Sequence, residues 1–251
     1  MIDESSSGSD ALREALATCG VEGCPTAGGR RELLEALSHA FRDNPMNIAI
    51  HGPNPARRVR ANRAGLRALV LDTADRTIRR VIRHEGRVVA GFIVVPPGEF
   101  PLPMQGLRRQ IGCLIGQGAR AMDRWGHVMG EVGLYHPDGR HWYLAVLGVV
   151  PWLQGYGLGH RLIDELIRIR ETDPAPIYLE SDREASVRFY LSRGFEIRQE
   201  LSILGVRCAC LGRGFAGASQ DLCDSVREPD PSGSIPQDRP SPGARIDGSA
   251  P

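Results

Sequence analysis

The residue types best placed for chemistry crowd one short segment. Gln154, Gly155, Tyr156, Gly157, Leu158, Gly159 and His160 follow an apolar run and precede an amphipathic stretch, GHRLIDELI. A Gly-rich turn at that junction exposes several backbone N–H groups just where a helix begins. Those donors, with the positive end of the helix dipole, suit a pyrophosphate. Missing Cβ atoms let phosphate oxygens approach the backbone. Two familiar phosphate turns do not fit. A dinucleotide-binding G-x-G-x-x-G would place its third glycine at His160 or Leu162. A P-loop needs lysine, and this chain has none. A strand–turn–helix joint with no ligand is the plain alternative.

The turn must be held by what surrounds it. Spacing predicts helices over Arg31–Phe41 and Pro55–Leu71, the first stopped at Asn44-Pro45 and the second opened by Asn54 and Pro55. Val21–Pro25 can form a short strand. RTIRRVIRH and GRVVAGFIVVP read as a hairpin turning at Glu85-Gly86. Met104 to Val132 reads as one long helix or two short ones. Strand 141–150, helix 157–170, strand 176–181, helix 184–193 and a hairpin over 195–212 follow. Leu158, Leu162, Leu166 and Ile169 form the buried face of the helix after the turn.

Two signatures stand together. The first runs from Val149 to Ile167 and carries Gln154, Gly157 and Gly159 as Q-x-x-G-x-G. The second is IYLESDREASVRFYLSRGFEI, Ile177 to Ile197, with Phe189, Tyr190, Gly194 and Phe195. With HWYLAVLGVVP and AFRDNP in the same order, they resemble the GNAT N-acetyltransferases over about residues 20 to 212. The resemblance implies an α/β (α+β) GNAT fold: a mixed, mostly antiparallel sheet splayed between its fourth and fifth strands and flanked by helices. It implies acetyl-CoA as co-substrate. Backbone groups from Gln154 to Gly159, with His160 in the first helical turn, would meet the pyrophosphate. Leu147, Gly148 and Val149 would pair with the pantetheine arm. Ser186 stands where the family often has asparagine, and a hydroxyl replaces only one of the amide's hydrogen bonds. Arg161 can meet a phosphate or lie in solvent.

Acetyl transfer needs a neutral amine and a protonated leaving thiolate. Tyr190 resembles the family tyrosine near the CoA sulfur, a phenol able to supply that proton. Glu180, ending a strand beside the expected splay, is the first candidate for the base; Glu131, His136 and His141 are others. HWYLAVLGVVPWLQGYGLG and YLESDREASVRFYLSRGF look most like the puromycin N-acetyltransferase branch, with 104–132 as its helical insert. That implies the primary amine of a small molecule as acceptor. Protein or peptide N-acetylation, or a non-catalytic acyl-CoA-binding module, are the alternatives.

Composition bounds the rest. A net charge of +1 in 251 residues gives no global case for nucleic acid. No apolar run of spanning length exists, and the N-terminus has no secretory pattern, so no membrane partner and a cytoplasmic location are expected. None of the six cysteines forms a C-x-x-C pair, so no metal is expected. Residues 1–19 read as a polar, partly disordered extension and 20–215 as the acetyltransferase domain. Residues 216–251 read as a Pro/Gly/Ser-rich disordered tail that cannot bury enough surface to offset its ordering entropy. A monomer or homodimer is expected.

Overall fold

The computed structural model describes residues 4–73 and 75–215, with side chains from Asp10 onward. The expected tail, 216–251, lies outside the described residues.

Among the described residues, seven strands form one sheet: β1 (Val21–Gly23), β2 (Ile78–His84), β3 (Arg87–Val95), β4 (Trp142–Val149), β5 (Ile177–Ser181), β6 (Glu196–Ile203) and β7 (Val206–Arg213). Their order is β1-β2-β3-β4-β5-β7-β6. Every neighbouring pair is antiparallel except β4 and β5. That parallel pair is joined only at Trp142↔Ile177 and Tyr143↔Tyr178. Beyond those two pairs the strands part, so the sheet is splayed where the sequence resemblance placed the gap.

Among the described residues, eight helices flank the sheet: α1 (Glu4–Thr18), α2 (Ala27–Ala40), α3 (Pro45–His51), α4 (Pro55–Leu71), α5 (Leu107–Gln117), α6 (Ala119–Gly133), α7 (Leu158–Arg170) and α8 (Glu184–Leu191). α4 forms where apolar spacing and its N-cap place it, while α2 starts at Ala27, four residues before the expected Arg31. Thr26 accepts from the Gly29 N–H, and Asn54 from the Arg57 N–H. α5 and α6 are separate because Gly118 takes φ +89° between them, a conformation a helix interior cannot hold. α7 buries Leu158, Leu162, Ile163, Leu166 and Ile169, the expected face with one addition. Each such side chain contributes about 1.5–3 kcal/mol relative to exposure.

α3 is absent from the sequence reading. Asn44-Pro45 does end the preceding segment, but Pro45 also opens a new helix as its first residue. Its start is capped from far away in sequence. Asp182, just past β5, accepts from the Met46 N–H at 2.7 Å and from Asn44 Nδ2 at 3.1 Å. Buried Arg58 ties the connection before α3 to its end, donating to the Arg42 and Gly52 carbonyls and to Asp43. α3 and α6 share a small core with Tyr178 of β5 and Cys210 of β7. Ile177 and Leu179, on the opposite face of β5, join the main core with α7 and Tyr190. β5 therefore presents alternate residues to two different layers.

Candidate active site

The site is built around the splay. β3 residues Ile93 and Val94 pair with Val146 and Leu144, so Ala145 is an extra, bulged residue on β4. Sequence gave no sign of it, since neither Gly nor Pro marks the position. Past Tyr143, the edge of β4 that faces β5 has no ladder partner among the described residues. Leu147, Gly148 and Val149 lie on that stretch. Gly148 has a second reason to lack a side chain: a Cβ there would sit 2.7 Å from the Cβ of Ala40 and 3.0 Å from Leu37. Helix α2 packs directly on it. The Gln154 side chain donates to the Val149 carbonyl at 3.0 Å and accepts from Arg183 at 3.0 Å, joining the end of β4 to the start of α8.

The turn follows a single 3-10 turn, Pro151–Leu153. Gly155 and Gly157 take φ +86° and +84°, the left-handed region that favours glycine. A Cβ on either would meet nothing within 4 Å, so both face open space. The backbone N–H groups of Gly155, Tyr156, Gly157, Leu158 and Gly159 have no acceptor among the described residues. The last of these are the orphan donors of the α7 N-terminus, where the helix dipole is positive. Five N–H donors around an open cradle suit a pyrophosphate, so the residues present fit the group the sequence implied.

Around this cradle, His160 places its ring edge-on to Phe189, 5.0 Å between centroids. Ser186 sits in the first turn of α8. Arg161 does not face the cradle. Its guanidinium donates to the Leu16 carbonyl at 2.6 Å, anchoring α1 to α7. Arg13 of α1 lies 5.9 Å from the ring centroid of Tyr156, so α1 abuts the turn.

Tyr190 sits at the end of α8 in a Schellman motif. The Phe195 N–H bonds the Tyr190 carbonyl, the Gly194 N–H bonds that of Leu191, and Gly194 has φ +75°. The F-Y-x-x-x-G-F spacing is thus a helix ending that fixes the tyrosine. Its ring is packed between Phe189 and Phe195, 5.0 and 5.5 Å away. Its hydroxyl makes no hydrogen bond among the described residues. Burial pushes the phenol well above its ordinary pKa, so it is held protonated.

Glu180 lies on the other face of β5, in register with Cys210 and two residues beyond Tyr178. Its carboxylate is 3.7 Å from Nδ1 of His136, both side chains being mostly buried. His136 Nε2 and His141 Nε2 are 2.8 Å apart, and His141 Nδ1 is 3.0 Å from the Gly139 carbonyl. A carbonyl only accepts, so His141 carries its proton on Nδ1. Burial lowers the His141 pKa, so the ring is neutral with its Nε2 lone pair free. His136 must then donate from Nε2, which turns its Nδ1 toward Glu180. Phe100 stacks on the His136 ring at 3.9 Å, and Tyr143 and Tyr178 meet it edge-on. Burial first, then the Glu180 charge, pushes the Tyr143 phenol well up. A cleft of about 440 Å³ opens beside this pair, lined by Phe100, Pro101, His136 and His141. Glu180, His136 and His141 were separate candidates in the sequence; the fold makes them one chain of contacts. Glu131 stays on α6 beside His127, an exposed pair 4.0 Å apart.

Cys208 and Cys210 of β7 back this wall. Burial raises both thiols, Cys208 to about 12, so neither offers a thiolate near neutrality.

With this geometry, similarity to known proteins has a definite place to fall. Residues 81–195 match the model of the acetyltransferase (GNAT) family. That segment runs from β2 to the end of α8 and contains the cradle, Tyr190 and Glu180. The segment is similar to GNAT acetyltransferases; the chain is an acyltransferase, and its acyl donor is acetyl-CoA. Solved structures share the fold at low identity. An arylalkylamine N-acetyltransferase 2 from Aedes aegypti has a TM-score of 0.57 at 14% identity, over 78% of this chain and 98% of that one. A polyamine N-acetyltransferase from Drosophila melanogaster has 0.57 at 16%, over 77% and 98%. An acetyltransferase from Corynebacterium glutamicum, described as histone acetyltransferase HPA2 and related, has 0.55 at 17%, over 78% and 95%. No curated protein matches the chain.

Proposed function

We propose that this enzyme moves the acetyl group of acetyl-CoA directly to the primary amine of a small molecule. One observation carries the reading. The open cradle of N–H donors lies at the end of the unpaired β4 edge, while Glu180 and Tyr190 come from opposite faces of the strand across the splay.

Gln154 to Gly159, with His160, hold the pyrophosphate. Leu147, Gly148 and Val149 pair with the pantetheine arm, and Ser186 gives one further contact from α8. CoA supplies the activated thioester; the chain supplies position and proton movement. Glu180 takes a proton from the incoming ammonium. The freed nitrogen lone pair attacks the thioester carbonyl, the C–S bond breaks, and Tyr190 gives its proton to the sulfur. The proton on Glu180 has its next acceptor in the His136 Nδ1. High thiol pKa values at Cys208 and Cys210 favour direct transfer over an acyl-enzyme.

The small-molecule reading draws on the arylalkylamine and polyamine enzymes that share the fold. The His141–Gly159 and Tyr178–Phe195 segments, which look like the puromycin N-acetyltransferase branch, agree with it. A cleft of a few hundred cubic ångströms beside His136 suits a compact acceptor.

The test is acetyl-CoA turnover, followed as free thiol, against arylalkylamines, polyamines, aminonucleosides and a lysine peptide. A small primary amine should be acetylated in preference to the peptide. Glu180→Gln should lower kcat on it by about 10²–10⁴. Peptide-only acetylation, or no amine-dependent thiol release, refutes the reading.

A further inference from the structure

Helix α5 is built inside out. The side it turns to α4 is small and polar: Gly116 packs on Ala64, and Gln117 on Gly65. Leu107, Ile111, Leu114 and Ile115, at i, i+4, i+7 and i+8, share the opposite side. All four are exposed, Leu107 at 72% and Ile115 at 81%, with Met104 standing out just before the helix. They form a convex apolar ridge rather than a groove, and contiguous exposed apolar surface of this kind marks an interaction site.

A second observation lies along the same helix. A cleft of about 330 Å³ between α4 and α5 is lined by Arg60, Arg63, Arg67, Arg108 and Arg109. Arg63 is paired with Glu35, and Arg109 is held by both oxygens of Asp72. Arg60, Arg67 and Arg108 have no ion pair among the described residues. Neither α4 nor α5 contains an acidic residue. On the helical wheel Arg108 falls next to Ile115, so the cationic cleft begins where the apolar ridge ends.

We propose that the α4–α5 face docks peripherally on an anionic lipid bilayer. The α5 ridge enters the boundary between headgroups and acyl chains, and Arg60, Arg67 and Arg108 meet lipid phosphates. Apolar side chains bordered by free guanidiniums are what an interfacial helix requires. A second copy suits the surface less well, because its own α4 and α5 bring no acidic residue to meet Arg60, Arg67 and Arg108. No described helix is long and apolar enough to cross a membrane. α5, with 11 residues, would lie in the plane of the surface.

The test uses the full chain and co-sedimentation with vesicles of phosphatidylcholine alone or mixed with phosphatidylglycerol. Binding is expected only to the mixed vesicles, weakening as salt rises. Arg60→Glu, Arg67→Glu and Arg108→Glu should each weaken it at least about fivefold, the loss expected for removing one surface cation. The Leu107→Asp/Ile111→Asp double variant should bind no vesicle. Both positions are exposed, so its melting temperature should match wild type, and its turnover of free acetyl-CoA should be unchanged. Three results overturn the proposal: no binding to mixed vesicles, equal binding to neutral ones, or a dimer that the double variant dissolves while vesicles bind nothing.

Discussion

Replacing Tyr190 with phenylalanine separates its packing from its chemistry. The ring lies in aromatic contact with Phe189 and Phe195, and phenylalanine keeps both contacts. The hydroxyl has no hydrogen-bond partner among the described residues, so its removal strands no donor or acceptor in the fold. Stability should therefore change by no more than about 0.5 kcal/mol, or about 2 °C in melting temperature for a domain of this size. The catalytic effect should be far larger. Burial holds the phenol protonated, and in the proposed reaction its proton is needed only as the C–S bond breaks. Losing a positioned acid costs about 10²–10⁴ in kcat, or about 2.7–5.5 kcal/mol of barrier. Because the interaction forms in the transition state, KM for acetyl-CoA should barely move. Steady-state kinetics beside a thermal melt reads all three quantities. A folded Tyr190→Phe enzyme with kcat within twofold of wild type refutes the assignment. A threefold to tenfold loss also removes the acid role and leaves Tyr190 as an orienting group.

Two further outcomes follow from the geometry. Gly157→Ala puts a Cβ on a residue at φ +84°. It should lower the melting temperature by about 2–4 °C, from roughly 1 kcal/mol of backbone strain, and weaken acetyl-CoA binding at least about tenfold by calorimetry. Unchanged affinity would exclude the turn as the phosphate site. His51 is buried on α3, accepts from the Trp125 indole, and has its pKa depressed to about 4 by burial. The unfolded chain, with an ordinary histidine, binds the proton first. Stability should thus be full above about pH 6.5 and fall as pH drops toward 4. His51→Gln should flatten that part of a pH–denaturation series; an unchanged slope would assign it to other groups.

The regular parts of the fold were legible because they are local. The cap at Asn54, the alternation of β2, the apolar run of β3 and the i, i+4 face of α7 all depend on neighbours in sequence. What escaped depends on distant partners. Pro45 reads equally as a stop and as a start, and Asp182, which caps α3, is more than a hundred residues away. Arg161 stands in the first turn after the glycines, where a phosphate contact is the natural reading. Only the fold brings the Leu16 carbonyl to it. Glu180, His136 and His141 were each candidates in the sequence, but nothing local joins them. Gly148 was legible as a glycine of a strand; the Ala40 contact that forbids a side chain there was not.

The splay also bears on solubility and cooperativity. An unpaired strand edge on the rim of a sheet is a template for association with another chain. The free edge of β4 is instead interior, flanked by β3 on one side and facing β5 across the gap. A second protein strand reaching it would have to prise apart the two pairs that suture the halves of the sheet, whereas one slender extended molecule need not. The sheet thus keeps an open row of hydrogen-bonding groups without exposing a sticky border, and anything that lies along that row ties together two half-sheets otherwise joined by two residue pairs.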